Sequence, residues 1–328
     1  MQKIAELMKK EAISLLTEKK VANVLGWKTG EFFYDNEAVN FSTPEEAEAL
    51  VYNEFCPSNL SKYLIAKTMI EKAPTAVFVK PCDTYGLNQL IKDHRVNRDL
   101  ITVIGVPCSG MIDINKIKTI HKMKGITGVE VDGDDVTVKS VYGDRKFKKA
   151  DLLLKKCMAC KGSDYAIADK ELGERMECKH APFDKFAAVR RLEGLTAQER
   201  FAFWQKELSK CIRCNACRNI CPACSCEQCI FDNQYSAVAG KANANSAEEQ
   251  MFHIIRAFHV AGRCTDCGEC ARVCPQHIKL ELLNRKFISD INKFYGEYQA
   301  GADAETKAPL VDYTFDDVEP TISAKGVK

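Results

Sequence analysis

Eight cysteines carry the most specific chemistry in this chain, because one pattern is written twice. Cys211, Cys214, Cys217 and Cys221 stand at C-x-x-C-x-x-C-x-x-x-C and precede Pro222; Cys264, Cys267, Cys270 and Cys274 repeat the spacing and precede Pro275. A cubane [4Fe–4S] cluster needs one thiolate at each of four irons. Three thiolates two residues apart let a tight loop wrap three corners, and the fourth comes from elsewhere. Where two such runs share a chain, the fourth Cys of each serves the other cluster. Cys211, Cys214, Cys217 and Cys274 are therefore expected to hold one cluster, and Cys264, Cys267, Cys270 and Cys221 the second. A structural zinc site needs only four ligands, and two runs of four with matched Cys-Pro endings overshoot it.

Nine of the seventeen cysteines lie outside these runs. Cys224, Cys226 and Cys229 follow the first run directly. They read either as part of a further cluster, with Cys178 a candidate fourth ligand, or as spare thiols packed on the first cluster. Cys157 and Cys160 form a lone chelating pair that needs two more thiolates. Cys82 and Cys108 could supply them, with Cys56 in reserve; the plainer reading makes Cys56, Cys82 and Cys108 small buried hydrophobes. One or two further [4Fe–4S] clusters are thus expected beyond the first two. The six histidines are scattered, and His253 and His259, six apart on one helix, do not share a face.

The elements that must position these thiols follow from periodicity. Apolar spacing predicts a helix over 4–19, then a strand over Val21–Lys28 and a second short strand at EFFYDN. Thr43-Pro44-Glu45-Glu46 starts a helix, and residues 59–72 form another. TAVFVKPC and DLITVIGVPC are apolar strands that each end in Pro-Cys and lead into a helical stretch. They read as neighbouring βα units, with Cys82 and Cys108 at the carboxyl ends of their strands and facing one crevice. Val129/Val131 and Val136/Val138 alternate around Asp132-Gly133-Asp134, a hairpin. Residues 181–208 read as helical, SAEEQMFHIIRAFHVAG as a helix capped by Ser246 and stopped at Gly262, and Phe287 to Tyr295 as another.

Composition bounds the function classes. The chain has 328 residues, 46% apolar and 28% charged, enough for about two globular domains. With 47 basic and 45 acidic residues the net charge is +2, which gives no reason to expect nucleic acid or an anionic membrane as partner. The N-terminus is charged and amphipathic without a secretory core, and no run reaches the roughly 18 apolar residues of a membrane span. Such cysteine richness then points to metal or redox chemistry in a reducing cytoplasm. No G-x-G-x-x-G, phosphate loop or Ser/His/Asp order stands out.

VKPCDTYGLNQL, VIGVPCSGM and KKCMACKGSDYAIADKELGE, followed by CIRCNACRNICPACSCEQC, resemble the β-subunit family of coenzyme F-420-reducing hydrogenases and dehydrogenases. The formate dehydrogenase β-subunit type is the nearest within it. The match spans most of residues 50–275. It implies an electron-transfer subunit, with Cys108 and the Cys157/Cys160 pair at family cluster-ligand motifs. The family's glycine-rich N-terminal stretch and its glycine-rich flavin loops have no evident counterpart here, which puts flavin (FAD) and deazaflavin binding in question.

Together these readings predict an α/β domain over 1–180 with βα units, a β-hairpin and an additional Fe–S site. A helical bridge over 181–208, an α+β bacterial ferredoxin-like dicluster domain over 209–290 and an extended tail over 291–328 follow. The function expected is an iron–sulfur electron-transfer subunit, not itself catalytic, within a cytoplasmic redox complex. It would relay electrons between a formate dehydrogenase-, hydrogenase- or heterodisulfide reductase-type partner and another carrier or flavin subunit. The alternatives are a flavin-dependent oxidoreductase acting on coenzyme F-420 or a nicotinamide, and a zinc-binding scaffold.

Overall fold

The computed structural model describes residues 1–232 and 246–310. The chain opens with α1 (Gln2–Thr17), which buries Ile4, Met8, Ala12, Leu15 and Leu16 along one stripe. There follow β1 (Asn23–Thr29), β2 (Asn36–Phe41), α2 (Pro44–Ala47), β3 (Thr75–Val79), α3 (Pro81–Lys92) and β4 (Ile101–Gly105). Next come β5 (Ile126–Asp132), β6 (Asp135–Ser140), β7 (Arg145–Lys148), α4 (Lys149–Leu152) and β8 (Lys170–Glu171).

One sheet runs β2-β1-β3-β4-β8, with β1, β3, β4 and β8 parallel and β2 antiparallel at its edge. β3 is buried at all five positions, as a parallel strand covered on both faces must be, and after Thr75, whose hydroxyl donates to the Ala73 carbonyl, its sequence is apolar. Thr43 caps α2 as expected, accepting from the Glu46 N–H at 3.3 Å. β5, β6 and β7 form a second, antiparallel sheet that buries Val136 and Val138 against Ile112, Ile117, Met123 and Leu152.

EFFYD (31–35) is a turn rather than part of the expected strand, and Asn36 already opens β2. The Gly30 N–H donates to Asp35 O at 2.6 Å, and Phe32, Phe33 and Tyr34 stack on one another and on Phe55 instead of alternating across a sheet. Residues 59–72 are split between a tight turn at Ser61–Tyr63 and a wide π-type turn at Ala66–Ile70.

The C-terminal region is helical: α5 (Ala187–Glu193), α6 (Ala197–Leu208), α7 (Ala216–Asn219), α8 (Ser246–His259), α9 (Glu269–Arg272) and α10 (Leu280–Tyr295). The bridge over 181–208 is broken by Gly194 and restarted by a Thr196/Glu199 capping box. No strand occurs among the described residues of 209–290, so the described part of the module is helical where an α+β arrangement was expected. α6 before the first run and the strongly amphipathic α10 after the second pack with α8 around the cysteine loops. The Ser246 side chain lies outside the described residues.

The tail begins later than expected. α10 continues to Tyr295, and beyond it Ala300 and Ala308 are buried. A Cβ at Gly301 would stand 1.9 Å from the Tyr85 carbonyl oxygen, so only glycine permits this approach to α3. Residues 311–328 lie outside the described residues.

Candidate iron–sulfur centres

The two cysteine runs repeat in backbone as well as in sequence. In the first loop Arg213 and Asn215 are left-handed, with φ of 54° and 60°; in the second, Asp266 and Gly268 take 53° and 70° at the same places. Asn215 and Gly268 then start α7 and α9, each of which carries the third cysteine of its run as its second residue. These left-handed turns aim N–H groups at sulfur. Arg213 N lies 3.4 Å from Cys211 Sγ, and the Asp266 and Glu269 N–H groups donate to Cys264 and Cys267.

Cys264, Cys267 and Cys270 line one small cavity together with Cys221, Pro222 and Ala223. The fourth cysteine of the first run has thus crossed to the loop of the second. Cys221 also packs with Cys224, Cys264 and Val260. On the other side, Cys217 and Cys274 lie in an apolar nest with Cys270, Leu208, Phe231, Phe252, Ile278 and Leu280, against which Cys211 packs; Cys214 is exposed. Burial pushes the Cys264 thiol up to about 12 and the Cys217 and Cys270 thiols upward. Thiols so buried become thiolates through metal ligation, which deprotonates them outright. Four sulfurs around one space, with backbone N–H groups turned on them, fit a cubane cluster.

A second group of thiols sits on the α/β domain. Cys178 hydrogen-bonds both Cys157 and Cys160, and this lowers Cys157 to about 7 and Cys160 to about 6. Met111 N lies 3.4 Å from Cys157 Sγ and Gly110 N 3.4 Å from Cys108 Sγ. Burial, then the neighbouring Cys157, pushes Cys108 up to about 12. Gly110 is pressed against the group: a Cβ there would be 2.7 Å from Cys178 Sγ. Cys178 is therefore not beside Cys224, Cys226 and Cys229, as expected, but beside Cys157 and Cys160, because the chain from β8 turns back over Gly110. Cys82 is half-buried at the start of α3; burial, then Asp83, raises its thiol, and Cys108 is among the neighbouring charges that add to this. Cys56 stands apart as a core residue, with Asn53 N at 3.4 Å and Asn36 Nδ2 at 3.6 Å from its sulfur.

Cys224, Cys226 and Cys229 line a cavity of about 1240 Å³ between the sheet edge and the first cysteine loop. Its walls include Leu60, Met69 and Phe231, and the cations Lys62, Arg218 and Arg263. Cys224 donates to Cys221, which together with Arg256 and Lys62 holds Cys221 well below the usual thiol range.

The basic residues that flank the cysteine runs in sequence are each paired to a carboxylate: Lys155 to Glu281, Lys156 to Glu269, Lys210 to Glu207, Arg213 to Glu249 and Arg218 to Asp232. Sequence reasoning missed the face of α8. Glu249, His253 and Arg256, spaced i, i+4, i+7, are all buried, and Glu249 and His253 bring their polar atoms within 4.8 Å of Cys211 Sγ and of each other. Polar residues at helical period between apolar ones were the available signal. Among the described residues, no helix is long and apolar enough to cross a membrane.

Residues 207–278 match the 4Fe-4S dicluster domain family. The chain is similar to the F420-dependent formate dehydrogenase subunit beta of Methanocaldococcus jannaschii, with 26% identity covering 88% of this chain and 89% of that one. It is also similar to the F420-dependent formate dehydrogenase 1 subunit beta of Methanococcus maripaludis, with 23% identity over 90% of each chain. Among solved structures, a chain of the F420-reducing [NiFe] hydrogenase complex from Methanosarcina barkeri aligns at 14% identity and a TM-score of 0.37, covering 50% of this chain and 63% of that chain.

Proposed function

We propose that this chain, similar over about 90% of its length to β subunits of F420-dependent formate dehydrogenases and carrying a 4Fe-4S dicluster domain, is an iron–sulfur electron-transfer subunit of a multi-subunit oxidoreductase. Cys211, Cys214, Cys217 and Cys274 hold one [4Fe–4S] cluster and Cys264, Cys267, Cys270 and Cys221 a second. Cys108, Cys157, Cys160 and Cys178 hold a third, with Cys82 alongside. A bound cluster supplies one-electron transfer. The chain supplies thiolates, N–H groups directed at sulfur and an apolar wall that excludes water, the three means by which protein sets such potentials. Its partner is a formate- or hydrogen-oxidising subunit, and the Lys156–Glu269 contact joins the third centre to the second.

The observation that carries this reading is Cys221 in one cavity with Cys264, Cys267 and Cys270. Anaerobic iron and sulfide analysis tests it: about twelve of each per chain supports three clusters, about eight supports two. A folded chain with zinc and no iron refutes it.

One observation favours a second reading. The cavity beside Cys224 is large, part apolar and walled by Lys62, Arg218 and Arg263, which suits an anionic aromatic cofactor such as a flavin, although no glycine-rich phosphate loop is present. Stoichiometric flavin released on denaturing the anaerobic protein would place hydride chemistry in this chain.

A further inference from the structure

We infer that Arg256 is the shared counter-charge of the two clusters in the dicluster module and raises the potential of both. This rests on the electron-transfer reading above.

Arg256 is 4% exposed on the inner face of α8. Its Nη2 donates to the Cys217 carbonyl at 3.2 Å, and its Nε has no partner. Other arginines around the module reach carboxylates: Arg218 meets Asp232 at 2.8 Å, Arg263 meets Asp93 at 2.6 Å and Arg285 meets Asp266 at 2.8 Å. Among the described residues no carboxylate pairs with Arg256. It lines one cavity with Cys224, and the negative groups whose charge acts on it are the thiols of Cys221, Cys224, Cys270 and Cys217.

A guanidinium stays charged in any protein environment. Burying one without negative charge nearby is strongly unfavourable. The negative charge that answers Arg256 is that of thiolate-ligated clusters. Cys217 belongs to the first cluster, and Cys221 and Cys270 to the second, so the cation lies between them. Each cluster gains one negative charge on reduction. A fixed cation at that place favours the reduced state of both and moves both potentials upward.

The test uses the full-length, cluster-loaded protein, with Arg256→Met and Arg256→Lys, titrated anaerobically and followed by electron paramagnetic resonance. Arg256→Met is expected to move both dicluster potentials to more negative values while the third centre stays in place. Arg256→Lys, which keeps the charge, is expected to stay near the parent. Arg256→Met with full iron and parental potentials would overturn the assignment. If Arg256→Met fails to hold iron, Arg256→Lys decides: retention of iron supports the charge role, and equal loss refutes it. Parent protein without iron would refute the electron-transfer reading itself, an outcome separate from unshifted potentials in an iron-loaded variant.

Discussion

Lys156 and Gly268 meet so closely that a Cβ on Gly268 would lie 2.7 Å from the Lys156 Cβ and 3.4 Å from its Cα. Gly268 stands between Cys267 and Cys270, and Lys156 directly precedes Cys157, so this is where the third thiol group docks on the second cysteine loop. The Lys156 ammonium continues to Glu269 at 2.5 Å, and Arg272 reaches the same carboxylate at 2.7 Å. Burial opposes the charge on Lys156, but Glu269 and Asp83 hold its pKa above the usual lysine value.

Two separate demands fall on Gly268, a left-handed backbone with φ of 70° and the absence of a side chain. Asn215, its counterpart in the first loop, meets the backbone demand with φ of 60°. Gly268→Ala is therefore expected to destabilise the cluster-loaded protein by about 2–4 kcal/mol, adding overpacking of about 1–3 kcal/mol to left-handed strain of about 1 kcal/mol. Asn215→Ala should cost about 1 kcal/mol, the strain alone. Anaerobic urea unfolding followed by cluster absorbance measures both. Equal effects at the two positions would mean that docking against Lys156 contributes nothing.

Cys221→Ser should remove a ligand from the second cluster although Cys221 belongs to the first run. Its resonance spectrum should then change as that of Cys264→Ser does, while Cys211→Ser alters the other signal. Were Cys221→Ser to perturb the same signal as Cys211→Ser, ligation would be local to each run. The buried Arg256 and the half-buried Lys62 beside Cys221 should keep the loop in place when the sulfur is lost.

Cys178→Ala is expected to lower iron by about four atoms per chain and Cys56→Ser to leave it unchanged. Cys56 is held by Asn36 and Asn53 within the core of the α/β domain, so its replacement should show in thermal stability and not in metal content. Full iron in Cys178→Ala would assign its place to Cys82, and Cys82→Ser would then show the loss.

What could be read from sequence was what is local. The eight repeated cysteines, the parallel strands that lead into Cys82 and Cys108 and the Val136/Val138 hairpin each declare themselves within a dozen residues. Cys178 did not, because its neighbours Cys157 and Cys160 are brought to it by a loop over Gly110 rather than by spacing. The α8 face stayed hidden because Glu249, His253 and Arg256 interrupt an apolar stripe, and only the folded arrangement turns them towards sulfur. The helices on either side of the clusters, α6 within 181–208 and α10 over 287–295, were legible from their 3.6-residue periodicity, whereas the strands expected of the module between them do not occur among its described residues.

The hydrogen bonds from Cys178 make a last prediction about the metal-free chain. They draw the Cys160 thiol down to about 6 and Cys157 to about 7, whereas burial pushes Cys264 up to about 12. The thiolate is the reacting form, so a lowered pKa brings reactivity in at lower pH. Anaerobic alkylation with iodoacetamide, read by peptide mass spectrometry, should reach half its maximum rate at Cys160 near pH 6, while Cys264 stays inert through about pH 9. Cys178→Ala removes the donor and should return the Cys160 midpoint towards the ordinary value of roughly 8.5. A Cys160 profile that does not move in that variant would show that Cys178 is not what holds the thiolate, and would break the link between these three sulfurs on which the third centre depends.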